Sequence, residues 1–128
     1  MKQDRIQSMR LVAACAMAVA CVAGAQDIER GKRVFEECAT CHLAQPEKTD
    51  NVGPSLKGVF GRKAGSRDDF RYSGPMKRSG VEWGRATLDA FIADPQALVP
   101  GNRMPFSGLA SESDRKALLD YLQQAMRE

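Results

Sequence analysis

The feature that most constrains this chain of 128 residues is the run Cys38-Ala39-Thr40-Cys41-His42. Two thiols about one helical turn apart can reach the two vinyl groups of one porphyrin, and the imidazole that follows them then faces the iron. This C-x-x-C-H spacing is the attachment motif of a c-type haem. A chain with such a motif folds around its cofactor, so its own apolar core can be small.

Three other interpretations of the motif compete with covalent haem: a thioredoxin-like redox pair, a structural disulfide and a zinc site. A redox pair opens a helix within a βαβ unit, whereas this pair ends a predicted helix in a chain without strand signals. Zinc needs four ligands in a tetrahedron, which three nearly adjacent residues supply poorly. We therefore favour haem.

The N-terminus has the pattern of an export signal. An uncharged stretch over 11–23 leads to a small-x-small cleavage site at Ala25 and is preceded by the basic residues Lys2, Arg5 and Arg10. The stretch is shorter than the about 20 apolar residues of a membrane-spanning helix. We expect a signal peptide over 1–25 and one domain over 26–128, destined for the periplasm. A loose lipoprotein box ending at Cys21 offers a lipid anchor as the alternative.

Charge and histidine content exclude several function classes. Without residues 1–25 the chain has 16 Lys and Arg against 15 Asp and Glu, so no binding to nucleic acid driven by phosphate charge is expected. Basic residues outnumber acidic ones eight to three over 57–85, and acidic residues outnumber basic ones six to four over 86–128. His42 is the single histidine, which rules out sites that need two imidazoles.

Three segments have the spacing of an amphipathic helix, and we predict an all-α fold. One helix begins near Asp27, one ends before Pro95, and the last follows Ser111, whose hydroxyl is placed to accept a first-turn amide. Their apolar stripes are Ile28, Gly31, Val34, Phe35 and Cys38; Leu88, Phe91 and Ile92; and Leu118, Tyr121, Leu122 and Ala125. Six glycines and two prolines over 51–80 predict loops and short helical turns with essentially no sheet.

A haem iron with one histidine needs a sixth ligand or keeps an open site, and methionine is the natural candidate here. Met76, Met104 and Met126 belong to the expected domain. Met126 is close to the end of the last helix. We favour Met104 over Met76 because Pro100 and Pro105 restrict its loop and lower the entropy cost of holding a thioether at the iron.

The chain resembles the class I cytochromes c, the monohaem proteins of the mitochondrial and bacterial cytochrome c2 type, across nearly all of the expected domain. The matching stretches are 27–35, the haem motif, Gly53-Pro54-Ser55-Leu56, Gly61-Arg62-Lys63, Trp83, Pro100-Gly101-Asn102-Arg103-Met104, and Leu118 with Tyr121. The resemblance implies a small fold in which the N- and C-terminal helices cross and loops wrap one covalent haem. It also implies Met104 as the sixth ligand.

The resemblance implies roles for further residues. The Pro54 carbonyl would accept the His42 ring N–H and fix its tautomer. Gly31 and Phe35 would lie where the first helix crosses the last at Leu118 and Tyr121. Hydrogen bonds to the haem propionates would come from Arg62, Tyr72, Trp83 and Asn102, and packing against the haem would come from Phe35, Leu56, Phe91 and Phe106.

Two departures from the mitochondrial pattern affect the expected function. Phe91 stands where those proteins usually have a tyrosine whose hydroxyl approaches the axial sulfur, so we expect an altered reduction potential. The lysine ring that steers docking is mostly lost: the matching positions are Glu37, Asn51, Gln96, Ala97, Ala110 and Ser111, and only Lys32 and Arg103 remain basic. Docking is therefore expected to depend less on charge and more on apolar contact around Phe106 and Val99.

The sequence thus predicts a periplasmic single-electron carrier, not an enzyme, with one covalent haem c. Its expected partners are membrane redox complexes or periplasmic dehydrogenases and oxidases, and we expect a monomer. The main rival is an enzyme or gas-binding protein in which Met104 is labile and leaves an open site for peroxide or nitric oxide. A haem subunit tethered to one dehydrogenase is a third hypothesis.

Overall fold

The computed structural model describes residues 24, 25, 27–42 and 52–127. The expected signal peptide lies outside the described residues apart from its last two positions, as do Cys21 and Asn51. The described residues form five helices in chain order: α1 (27–42), α2 (Gly74–Arg78), α3 (Arg85–Ala93), α4 (Pro95–Leu98) and α5 (Glu112–Ala125). The described residues form no strand, and their only β contact is one antiparallel bridge between Lys63 and Glu82. The all-α prediction is confirmed.

Helices α1 and α5 cross at a glycine, as the resemblance to the cytochromes c implies. A Cβ on Gly31 would lie 2.0 Å from the Ala117 carbonyl oxygen and 2.8 Å from the Tyr121 Cβ. Only a residue without a side chain permits this approach of two backbones. One turn further along α1, the Phe35 ring packs on Tyr121 with 5.5 Å between ring centroids.

The ends of the helices follow the local signals in the sequence. The Ser111 hydroxyl accepts the Asp114 N–H at the start of α5, as expected. Helix α3 ends at Ala93 because the residue before Pro95 is extended, with φ −155° and ψ 95°. That residue, Asp94, then caps the short helix α4, which the periodicity did not predict, by accepting the Gln96 and Ala97 N–H groups.

The core lies between α1, α3, α5 and the loop that precedes α2. Its buried members include Phe35, Val59, Trp83, Leu88, Phe91, Ile92, Leu118 and Leu122, and these same eight residues line a cavity. The core is therefore built around an internal space, as its small apolar content predicts. No helix among the described residues has the length and apolar character to cross a membrane.

Candidate functional site

The Cys-x-x-Cys-His motif occupies the last described turns of α1, at one wall of the cavity. Cys38, Cys41 and His42 all line the cavity, and both cysteines have free thiols. Burial raises the pKa of the Cys38 thiol, and the neighbouring Glu37 charge adds to the effect. No described group of three His, Cys, Asp or Glu side chains has the arrangement of a metal site, so the zinc interpretation gains no support.

His42 is held in one orientation by the turn that opens the next described segment. Its Nδ1 lies 2.8 Å from the Pro54 carbonyl oxygen, so Nδ1 carries the proton that Pro54 accepts. The approach is close: a Cβ on Gly53 would lie 2.8 Å from His42 Cε1. Burial lowers the pKa of His42, with the Pro54 hydrogen bond opposing that shift. The neutral imidazole keeps its Nε2 lone pair for a metal.

Met104 lines the same cavity and lies on the loop that follows α4. Its N–H donates to Asn102 Oδ1 at 3.0 Å, and its carbonyl accepts the Phe106 N–H at 2.9 Å. Both polar backbone groups of Met104 are thus fixed by neighbours on the same loop. Met76 lines the same cavity, whereas Met126 does not.

The cavity has a volume of about 600 Å³, within the range of sites that hold a bound cofactor. All four residues expected to pack against a haem line it: Phe35, Leu56, Phe91 and Phe106. The Phe91 ring also packs on Trp83, with 5.0 Å between centroids. The cavity is apolar, with the two cysteine thiols and the imidazole at one wall and a thioether among its other lining groups. This set of groups fits a covalent haem.

Three of the four residues predicted as propionate partners lie at the cavity. Arg62, Tyr72 and Trp83 line the cavity. The Arg62 guanidinium also donates to the carbonyls of Lys57 and Ser55, at 2.8 and 2.9 Å. Burial lowers the pKa of Arg62 and raises that of Tyr72. Trp83 is buried at the cavity wall, and its indole N–H is a donor of the kind that binds a carboxylate.

Asn102 is placed differently from the expectation. It is buried and is not among the cavity-lining residues, because its amide is used by the backbone around it. Nδ2 donates to the carbonyls of Pro95 and Val99, both at 2.9 Å, while Oδ1 accepts from Met104. Asn102 therefore shapes the Met104 loop through both ends of its amide. Val99 was expected at the docking surface, but it is buried. A side chain that is only 2% exposed cannot form a docking contact.

Two arginines at the cavity were not predicted as site residues. Arg71 and Arg103 are exposed and line the cavity, and Arg103 donates to the Arg71 carbonyl at 2.8 Å. This bond joins the loop before α2 to the Met104 loop. The two residues are 32 positions apart, so no periodicity in the sequence predicts this contact.

The comparisons with known proteins agree with this geometry. The cytochrome c family profile matches residues 28–126. The chain belongs to the cytochrome c family. It is 46% identical over 100 residues to cytochrome c2 of Rhodoblastus acidophilus, covering 78% of this chain and 94% of that protein. It is also 38% identical over 121 residues to cytochrome c-554 of Methylosinus trichosporium, covering 93% of this chain and 92% of the relative.

A solved cytochrome c structure supports the fold. Cytochrome cH from Methylobacterium extorquens matches with a TM-score of 0.68 and 38% identity, over 75% of this chain and 96% of that one. As a cytochrome c, the protein is a haem-containing electron carrier and not an enzyme. It has one covalently attached haem c, for which Cys38 and Cys41 provide the motif.

Proposed function

We propose that this cytochrome c is an exported, periplasmic one-electron carrier whose haem iron is bound by His42 and Met104. The observation that carries the ligand assignment is the fixed geometry on both sides. His42 is oriented by Pro54 at 2.8 Å, and the Met104 backbone is held by Asn102 at 3.0 Å. Both side chains line one cavity.

The ligand set suits electron transfer without other chemistry. When bound, the haem supplies the one-electron couple, and methionine ligation raises its potential. His42 needs no proton change during the cycle, because its Nδ1 proton stays on the Pro54 carbonyl hydrogen bond. Because hydrogen bonds hold the His42 ring and the Met104 backbone, we expect little reorganisation to accompany the electron.

The residues at the opening of the cavity indicate how partners dock. Exposed lining residues include Val52, which is 69% exposed, together with Glu37, Thr40, Arg71, Arg103 and Pro105. One acidic and two basic side chains make a mixed surface, so electrostatic steering is weak. Apolar contact around Phe106, Pro105 and Val52 then provides much of the docking surface.

The location and partners follow from the N-terminal signal pattern and the family. An exported, nearly neutral domain is suited to moving between redox complexes in the membrane or periplasmic dehydrogenases and oxidases. We propose a monomer that binds no nucleic acid. Cleavage after Ala25 releases the domain, and N-terminal sequencing of the exported protein distinguishes this cleavage from lipid attachment at Cys21.

The ligand proposal is tested by the weak far-red band of a ferric iron bound to a thioether sulfur. The purified holoprotein should show this band and no spectral change when carbon monoxide is added to the reduced form. Met104→Ala should abolish the band, and Met76→Leu should retain it. A band that survives in Met104→Ala, or rapid carbon monoxide binding by the unmodified protein, contradicts the proposal.

The docking proposal is tested by the salt dependence of electron transfer to a native redox partner. With weak steering, the bimolecular rate should change only a few-fold between about 0.01 and 0.2 M salt, where the Debye length falls from about 30 to below 10 Å. A steep fall over that range would contradict it. The doubly neutral variant Arg71→Gln/Arg103→Gln should then leave both the rate and its salt dependence nearly unchanged.

A further inference from the structure

Helix α2 presents a methionine to the haem cavity although the helix itself is poorly buried. It is five residues long and has no buried residue, yet Met76 at its centre lines the cavity and packs against the core. A helix of five residues is too short to be stable through its own backbone hydrogen bonds. Contacts outside those bonds must therefore hold it in place.

Two serine hydroxyls hold the Met76 backbone, one from each end of α2. Ser73 Oγ accepts the Met76 N–H at 3.2 Å, and Ser79 Oγ donates to the Met76 carbonyl at 2.9 Å. Pro75 occupies the first turn, where its fixed φ favours helix. Its ring also lies beside the Met104 loop, since a Cβ on Gly101 would be 3.2 Å from Pro75 Cγ. The side chain of Met76 thus enters the cavity from a fixed base.

The polarity of the cavity indicates what Met76 does there. The walls formed by buried residues are apolar, whereas the cationic lining groups, Arg62, Arg71 and Arg103, are partly or fully exposed. Ferric haem carries one more positive charge than ferrous haem, so an apolar, dry wall favours the ferrous state. We propose that Met76 sets the reduction potential of this cytochrome by filling part of the cavity with a thioether and excluding water. It is a positioning residue and exchanges no proton or electron.

Replacement by a polar side chain of similar length tests this directly. Met76→Gln brings an amide, with the water it attracts, into the apolar wall. We expect the ferric-to-ferrous ratio at a fixed applied potential to rise about tenfold, which is a fall of about 59 mV for one electron. Met76→Leu keeps the wall apolar at nearly the same volume, and the ratio should change less than about twofold.

Met126 provides the matched control. It packs against the same core from the end of α5 but does not line the cavity. Met126→Gln should cost folding stability without changing the potential. If Met76→Gln leaves the potential unchanged, or if Met126→Gln shifts it as much, the proposal is wrong.

A third variant keeps the test decisive if Met76→Gln does not fold. Ser79→Ala leaves the Met76 side chain intact and removes the hydroxyl that binds its carbonyl. We expect about a threefold shift toward the ferric state, and an unchanged potential overturns the proposal. The proposal rests on the haem in the cavity and not on Met104 as a ligand. An absent far-red band in the unmodified protein would refute the ligand assignment alone, while redox titration still decides the role of Met76.

Discussion

Helices α1 and α5 meet backbone to backbone, whereas the loops around the haem cavity meet through side chains that bind backbone carbonyls and amides. At the crossing, Gly31 brings α1 against the Ala117 carbonyl of α5. Around the cavity, Arg103 reaches the Arg71 carbonyl and Asn102 binds three backbone groups. The Gly31 contact involves protein atoms only. The loop side encloses the space that the haem fills.

The charged side chains show the same contrast. Ion pairs join the helices, from Arg30 on α1 to Asp114 on α5 at 2.7 Å and from Arg115 on α5 to Asp89 on α3 at 2.9 Å. At the cavity, no described acidic residue pairs with Arg71 or Arg103, and Arg62 binds carbonyls instead. The helix side should therefore determine whether the chain folds, and the loop side should determine the properties of the iron.

The largest effect is expected at the helix crossing. Gly31→Ala places a Cβ 2.0 Å from the Ala117 oxygen, so the helices must separate. We expect the free energy of unfolding of the holoprotein to fall by more than about 3 kcal/mol in denaturant titration. Gly84→Ala is the control, because the nearest atom to its Cβ is Thr87 Oγ1 at 3.9 Å, and it should cost less than about 1 kcal/mol. Equal costs would contradict the role of the close approach.

Asn102→Ala is the strongest test on the loop side. It removes one acceptor and two donor contacts, so the Met104 N–H loses its acceptor, while the Pro95 and Val99 carbonyls each keep only a backbone N–H. We expect a loss of about 2 to 4 kcal/mol, and we expect the far-red band to disappear at lower denaturant than the helical circular dichroism signal. Asn102→Ser keeps a hydroxyl that can accept the Met104 N–H two residues on, without adding a charge, and should retain the band longer. If the far-red band and the helical signal disappear at the same denaturant concentration in Asn102→Ala, the loops around the cavity do not unfold separately from the helices, and the contrast between the two regions is wrong.

The parts that the sequence predicts well are those fixed by local spacing. The stripe of Leu88, Phe91 and Ile92 gives α3, and the Cys-x-x-Cys-His spacing places the two thiols and the imidazole at one wall of the cavity. These features depend on residues within a few turns of each other, so periodicity and motif spacing contain them.

The parts that the sequence does not predict depend on contacts between distant segments. Asn102 was expected at a propionate, but the turn after α4 brings the Pro95 and Val99 carbonyls within reach of its amide, which donates to both. Val99 was expected at the surface, yet the same turn buries it. Helix α4 itself depends on Asp94 as its cap. Polar residues in loops have several possible partners, and only the folded chain selects among them.

A smaller effect, on the iron rather than on folding, is expected from Phe91→Tyr. Phe91 is buried, packs on Trp83 and lines the cavity. A hydroxyl there that donates to the axial sulfur withdraws electron density from it and favours ferrous iron. We expect about a threefold shift of the redox equilibrium, or about 28 mV upward for one electron.

The control for that prediction is Phe60→Tyr, since Phe60 packs against the core without lining the cavity. It should leave the potential unchanged. Redox titration of both variants checks the expectation. If Phe91→Tyr leaves the potential and the stability of the far-red band unchanged, the expectation is wrong. The absence of the tyrosine hydroxyl would then not affect the iron of this protein.

The smallest effect is a pH dependence at the helix crossing. Hydrogen bonds from Arg30 and then from Ser111 lower the pKa of Asp114 in the folded protein. A carboxyl whose pKa is lower in the folded state stabilises the fold above its unfolded pKa of about 3.9, and this contribution is lost as the pH falls through the folded value. The unmodified protein should therefore unfold at a higher temperature than Asp114→Asn at pH 7, and the difference should shrink below about pH 4.

Asp68→Asn is the control, because Asp68 is exposed and forms no ion pair with a described residue. Its melting temperature should follow that of the unmodified protein at every pH. Because the Arg30 pair is solvent-exposed, added salt should also reduce the Asp114 difference. A difference that persists unchanged at pH 3 would mean that the charge of Asp114 does not account for its contribution at the helix crossing.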